Sequence, residues 1–178
     1  MWDLHQRIAL VTGSSSGIGL AIAERLAQAG AQIILHGLAT SSEADALCTD
    51  FEHKYGNRPH FMNADLRNEQ QIAEMIAELN QQYGAIDILV NNAGIQHVSP
   101  ISEFPSEVWQ DMLAINLSAS FHTIRLALPA MKQKGWGRII NVASISGLRG
   151  RAGKVGYNAT KHGLIGLSKS VALELAAW

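Results

Sequence analysis

Short apolar runs alternate with longer segments of helical period along this chain. Ile8-Ala9-Leu10-Val11 is continuous and apolar, as expected of a strand buried on both faces. A turn-rich stretch follows, Thr12 to Gly17, and then Ile18, Ile22, Leu26 and Ala29 recur at helical spacing until Gly30. Ala31–His36 reads as a second strand, 41–55 as a helix with Leu47, Phe51 and Tyr55 on one stripe, and Phe61–Ala64 as a weaker strand ending at Asp65. Asn68, with Gln71 three residues on, predicts a capping box for a helix whose apolar face is Ile72, Met75, Ile76 and Leu79. Ile86–Val90 predicts the next strand, ending in Asn91-Asn92-Ala93-Gly94. After a loop holding Pro100 and Pro105, a long helix is predicted over 106–134, kinked or ended by Pro129. Arg138–Ala143 is the last strand, 144–156 a loop, and 157–177 the final helix, with Leu164, Leu167, Val171, Leu173 and Leu175 along it.

Strictly alternating strands and helices imply an α/β fold with about five parallel strands, right-handed crossovers and helices on both faces. The length of 178 residues, without repeat or linker, reads as one domain over 1–178. In such sheets ligands sit beyond the carboxyl ends of the strands. Gly13, Asp65, Asn92 and Ser144 each fall at or just past such an end.

Composition narrows the partners. Hydrophobic residues make up 47% and charged residues 16%, which suits a packed core. A net charge of -1 offers no basic excess for a phosphate backbone, so nucleic acid is not an expected partner. A single cysteine, Cys48, excludes a disulfide framework and a Cys-rich zinc site, and no metal is expected. His5, His53, His60, His97, His122 and His162 show no paired spacing for a metal. No apolar run reaches the ~20 residues of a membrane span, and no leader precedes the first strand; the expected location is the cytoplasm.

The chemistry concentrates in two places. Gly13, Gly17 and Gly19 stand between first strand and first helix, spaced G-x-x-x-G-x-G. Such a turn lets backbone approach a pyrophosphate, and the helix start offers free N–H groups and a positive dipole end. No Gly-Lys-Ser/Thr follows, which argues against a phosphoryl-transfer loop. Tyr157 and Lys161 lie four apart at the start of the last helix, so they share a face. An ammonium there favours the phenolate; bringing a tyrosine pKa from about 10 to about 7 needs about 4 kcal/mol, reachable in a partly desolvated cleft. Ser144, at the end of the preceding strand, is placed to hydrogen-bond a substrate oxygen.

Thr12-Gly13-Ser14-Ser15-Ser16-Gly17-Ile18-Gly19, then Asn91-Asn92-Ala93-Gly94, Asn116, Ser144 and Tyr157-x-x-x-Lys161 together resemble the short-chain dehydrogenase/reductase family. The resemblance covers essentially the whole chain and implies a Rossmann-like doubly wound sheet. It implies Tyr157 as general acid/base, Ser144 polarising the substrate oxygen, Lys161 tuning the tyrosine and binding the nicotinamide ribose, and Asn116 holding a relay water. Asn92, Ala93 and Gly94 would line the cofactor cleft beside Gly13, Ser16, Gly17, Ile18, Gly19 and Leu66. Asp65 would bond the adenine and Leu38 pack over it. No Lys or Arg occurs over 31–42, which favours NAD over NADP.

A narrower resemblance, to bacterial D-3-hydroxybutyrate dehydrogenases, rests on Gly94-Ile95-Gln96-His97-Val98, Phe104-Pro105, Trp109 and Trp136 to Asn141. It implies Gln96 and Lys154 as contacts for a substrate carboxylate. That group has a histidine where Ser146 stands. Arg149 and Arg151 are read as facing solvent. Within the family the alternative is an NADPH-dependent 3-oxoacyl reductase; outside it, a non-catalytic nucleotide-binding fragment. Family members continue with further strands and a substrate lid, so the chain is expected to be C-terminally truncated, with an unpaired sheet edge and apolar helix faces favouring a homo-oligomer.

Overall fold

The computed structural model describes residues 3–177. Five strands, β1 (Ile8–Val11), β2 (Gln32–Gly37), β3 (His60–Asn63), β4 (Ile88–Asn91) and β5 (Arg138–Asn141), form one parallel sheet in the order β3-β2-β1-β4-β5. Six α-helices accompany them among the described residues: α1 (Gly17–Gln28), α2 (Ser41–Tyr55), α3 (Glu69–Tyr83), α4 (Ser106–Leu113), α5 (Ala119–Lys134) and α6 (Val155–Leu175). The strand order reverses direction at β1, and the crevice of such a sheet opens there, past the ends of β1 and β4.

The alternation of side chains along each strand builds two cores. Ala9, Val11, Ile33, Leu35, Ile88 and Val90 face α1 and α2, where Ala23 and Phe51 meet them. Leu10, Ile34, Met62 and Leu89 face α3 and α5, against Ile72, Met75, Ile76, Leu79, Ile124, Ala127 and Met131. The four residues expected on the apolar face of α3 are all buried. Each contributes roughly 1.5–3 kcal/mol by burial. β5 is an edge strand among the described residues, and its Ile140 is exposed.

Several boundaries differ from expectation by one or two residues. β4 starts at Ile88 rather than Ile86 and takes in Asn91, because Asn91 pairs in register with Asn141 and its Nδ2 donates to Asn141 Oδ1 at 2.9 Å. α6 begins at Val155, and Ile145–Gly147 forms a short 3-10 turn within the expected loop.

Two local expectations are corrected. Asn68 caps α3, its Oδ1 accepting from the N–H groups of Gln70 (2.9 Å) and Gln71 (3.3 Å). The reciprocal arm of the box is absent, because Gln71 Oε1 accepts from the Asp65 N–H (2.7 Å) instead. The complete capping box belongs to α2: Thr40 Oγ1 accepts from Glu43 N–H at 3.3 Å and Glu43 Oε2 accepts from Thr40 N–H at 2.8 Å. The helix over 106–134 is not one regular α-helix. A π-helical segment, Ala114–Ser118, joins α4 to α5, while α5 runs through Pro129 to Lys134.

Candidate active site

The turn after β1 is tied to the end of β4. Thr12 Oγ1 accepts from the N–H groups of Asn92 (3.0 Å) and Ala93 (3.1 Å), and Asn92 Nδ2 donates to the carbonyls of Thr12 and Gly13, each at 3.0 Å. The turn and the end of β4 thus close on each other. Gly13 has φ +62°, and a Cβ there would come 2.8 Å from Ala93 Cα. At Gly19 a Cβ would overlap the Gly13 carbonyl and the Asn92 amide. Only glycine fits either place. Ser16 stands at the N-cap of α1 with extended backbone and no capping bond from its side chain, so its hydroxyl is uncommitted beside the free N–H groups of the helix start.

From this turn a cleft of ≈ 560 Å³ runs along the carboxyl edge of the sheet. It is lined by Gly13, Ser16, Ile18, Gly19, Leu38, Asp65, Leu66, Asn92, Ala93, Gly94 and Gln96, and by Tyr157 and Lys161 at its other end. Expected residues from five segments of chain therefore share one concavity, whereas Asn116, Ser144 and Lys154 are not among its lining residues. Gly17 lies in the turn but is not among the lining residues. Ile18 and Leu38 are exposed apolar side chains on this rim.

At the tyrosine end, Lys161 is buried, and Lys161 Nζ donates to the Val142 carbonyl at 2.7 Å. Burial lowers the Lys161 pKa from the ordinary lysine range. Among the described residues Lys161 makes no ion pair with a carboxylate. Its Nζ stands 5.7 Å from the Tyr157 ring centroid. Lys154 Nζ stands 6.0 Å from the same ring and donates to Gln96 Oε1 at 2.8 Å. Tyr157 is thus approached by two ammonium groups, and the Gln96–Lys154 pair expected to meet a carboxylate is already assembled.

Asn116 sits in the π-helical segment, a geometry that recurs at functional sites. Its Oδ1 accepts from Ile95 N–H (2.8 Å), and its Nδ2 donates to the Ile95 carbonyl (2.9 Å) and to Thr160 Oγ1 (3.2 Å). Both amide hydrogens are spent. The side chain clamps the segment after β4 onto α6, and only one lone pair of Oδ1 is left for a relay water. A Cβ on Gly94 would lie 3.3 Å from Asn116 Oδ1 and 3.8 Å from Lys161 Nζ, so these three groups form one packed corner.

Ser144 caps the 3-10 turn, its Oγ accepting from Ser146 N–H at 3.1 Å. Its O–H stays available to donate, but no direct bond joins Ser144 to Tyr157 among the described residues. Asp65 is also partly committed. Its carboxylate accepts from Arg67 Nη2 at 2.6 Å and from Arg67 Nε at 3.0 Å, and these bonds hold its pKa below the usual carboxylate range. An adenine contact would share that carboxylate with Arg67. Arg149 and Arg151 are exposed, as expected.

Two further participants escape a reading of the sequence. His36 lines the cleft and binds the glycine turn through its ring. Thr160 is fully buried and bridges Asn116 to the Tyr157 carbonyl. Their residue types carry no signal on their own; only the long-range pairing reveals them.

A sequence profile described as short chain dehydrogenase matches residues 7–178. The chain belongs to the short-chain dehydrogenase family. A D-beta-hydroxybutyrate dehydrogenase of Rhizobium meliloti is 49% identical over 170 residues, covering 96% of this chain. Another, of Cupriavidus necator, is 50% identical over 173 residues, covering 97% of this chain. The chain spans 66% of the length of each of these relatives. A metagenomic short-chain oxidoreductase solved in complex with NADP superposes with a TM-score of 0.92 at 33% identity, covering 98% of this chain and 78% of that one. In this short-chain dehydrogenase no helix among the described residues is long and apolar enough to cross a membrane, and no cluster of metal-ligating side chains occurs.

Proposed function

We propose that this short-chain dehydrogenase is the cofactor-binding and proton-transfer region of an NAD-dependent oxidoreductase that interconverts D-3-hydroxybutyrate, or a closely similar small 3-hydroxy acid, and its 3-keto acid. One observation carries the reading: the Lys161 and Lys154 ammonium groups stand 5.7 Å and 6.0 Å from the Tyr157 ring centroid, at one end of a cleft whose other end is the glycine turn. The cradle fits a dinucleotide, since Gly13 and Gly19 let the turn close on the end of β4, a Cβ at Gly17 would meet only open space, and the α1 start is free for a pyrophosphate. When bound, the nicotinamide supplies the hydride acceptor.

The protein's part is orientation and proton transfer. Tyr157 Oη takes the proton of the substrate hydroxyl as the carbon beneath gives up its hydride, and returns it in the reverse direction. The Ser144 O–H donates to the same oxygen. Lys161, whose charge meets no carboxylate, stabilises negative charge on the tyrosine oxygen through a desolvated environment. Gln96 and Lys154 hold the substrate carboxylate. Ser146 stands where the relatives suggested by sequence carry a histidine, so the carboxylate receives one fewer ring N–H here.

NAD is favoured because the adenosine end of the cleft offers no spare cation. Ser16, Gly37 and Leu38 line it, and the nearby Arg67 is paired with Asp65 and with Asp111 (3.4 Å). A 2′-phosphate dianion would stay unpaired there. The test follows reduced-nicotinamide absorbance after mixing the full protein with NAD and D-3-hydroxybutyrate. Turnover with NAD is expected. Turnover only with NADPH and 3-oxoacyl substrates, or cofactor binding with no turnover on a broad alcohol panel, would overturn the reading.

A further inference from the structure

The mechanism leaves one buried titratable group in the cleft without a task. His36, in β2, is 3% exposed and lies next to Gly37, where the strand ends. Its backbone is bound to Ser14 in both directions: the Ser14 N–H donates to the His36 carbonyl at 2.8 Å, and the His36 N–H donates to Ser14 Oγ at 2.9 Å. Its ring spans two strand ends. Nδ1 accepts from the Gly13 N–H at 3.1 Å, and Nε2 lies 3.0 Å from the Ala64 carbonyl.

These partners leave one protonation state. A backbone N–H can only donate, so Nδ1 carries no proton; a carbonyl can only accept, so Nε2 carries one. The ring is neutral and of fixed tautomer. Adding a proton to Nδ1 would turn two donors toward each other and break the bond to Gly13. Burial by itself disfavours the charged ring and pushes the histidine below its ordinary range.

We propose that neutral His36 is a positioning residue, a latch that holds the Gly13 amide and with it the glycine turn in the shape that receives the pyrophosphate, and that protonation of His36 unlatches the turn and weakens dinucleotide binding. The proposal rests on the cofactor reading above. Gly13 cannot relax easily in the latched state, since its φ of +62° and its contact with Ala93 already define one geometry. Losing the ring bond frees that geometry at the point where backbone must approach phosphate.

Among the described residues no other ionisable side chain bonds the His36 ring. Gly13 and Ser14 on the β1 side are uncharged, as are Ser15 and Phe61 beside Gly37. Beyond Ala64 comes Asp65, held ionised by Arg67. Tyr157 and Lys161 line the far end of the cleft. His36 is the one histidine among the described residues that lines the cleft.

The experiment compares wild type, His36→Asn and His36→Gln in the intact protein by NADH fluorescence titration at about pH 8 and at the lowest pH at which circular dichroism shows all three still folded, because burial sets the ring's titration below that of a free histidine. Asn places an acceptor where Nδ1 is and does not titrate. Gln places a donor where Nε2 is and leaves Gly13 without an acceptor. Wild type should bind roughly tenfold or more weakly at the lower pH. His36→Asn should match wild type at about pH 8 and lose the pH dependence. His36→Gln should bind weakly at both.

Amide hydrogen exchange at Gly13, read at one pH without cofactor, should be slow in wild type and His36→Asn and fast in His36→Gln. A flat wild-type profile, or equal behaviour of the Asn and Gln variants, overturns the latch. If no form binds NADH, the cofactor reading is lost, and the latch stands or falls on Gly13 exchange alone.

Discussion

At the amino end of the sheet, Asp87 lies just before β4 with its side chain fully buried. It accepts from Arg7 Nη1 at 3.1 Å and from the Ile8 N–H at 2.9 Å, and Lys134 Nζ stands 2.7 Å away. Arg7 stacks 3.9 Å over the Trp136 ring, with Arg138 4.8 Å from the same ring. At the carboxyl end, Lys161 is also buried but holds a single carbonyl and no carboxylate. Both ends put a charge out of water. One surrounds it with partners and closes; the other leaves it uncompensated beside a tyrosine and an open cleft. A compensated buried charge is a matter of fold, whereas an uncompensated one is held at a cost that only function explains.

That contrast can be broken most sharply at Lys161. Lys161→Met should lower turnover by roughly 10²–10⁴. It should also stabilise the fold by on the order of 1 kcal/mol, since a hydrophobic side chain replaces a desolvated cation. Burial puts the lysine below its unfolded range, so the unfolded chain holds more protons through the alkaline interval beneath a free lysine's pKa. Wild-type stability should therefore gain on the variant as pH rises through that interval. Denaturant titrations at neutral and alkaline pH read both effects.

Asp87→Asn should behave in the opposite way. It removes the charge that Arg7 and Lys134 pair with, and, since both remain about a third exposed to water, should cost about 2 kcal/mol of unfolding free energy by urea titration. Turnover of the folded fraction should stay within a factor of about two, because no part of the cluster reaches the cleft. A large kinetic loss here would erase the distinction between the two ends.

Gly13→Ala sharpens the comparison within the carboxyl end. The methyl group meets Ala93 Cα and the backbone must keep φ near +62°. A loss of about 1–3 kcal/mol of stability is expected together with weakened NADH binding, both read on the same sample. Thr40→Ala is the smallest perturbation. It removes the capping box of α2 and should cost about 1 kcal/mol or less in thermal unfolding, with cofactor affinity unchanged.

The two ends also differ in how legible they are in the sequence. β1 and β4 are buried on both faces and show as plain apolar runs, and the motif residues just beyond them mark the cleft directly. The cluster around Asp87 joins residues distant in sequence, Arg7 eighty positions before it and Lys134 well after it, and nothing local to Asp87 announces either. His36 reads only as the end of a strand, because its ring partners, Gly13 and Ala64, lie just past two other strands. The π-helical segment hides inside a continuous helical period, so the placement of Asn116 does not follow from spacing. Thr40 with Glu43 and Asn68 with Gln71 share one spacing, yet only the first pair closes a capping box. A competing donor, the Asp65 N–H, takes the Gln71 side chain and decides between them.

The most direct test of the account follows NADH formation from D-3-hydroxybutyrate in wild type and Tyr157→Phe, both first shown by titration to bind NADH equally. Turnover should fall by roughly 10³ in the variant with cofactor affinity preserved. Turnover within a factor of a few of wild type would contradict the account.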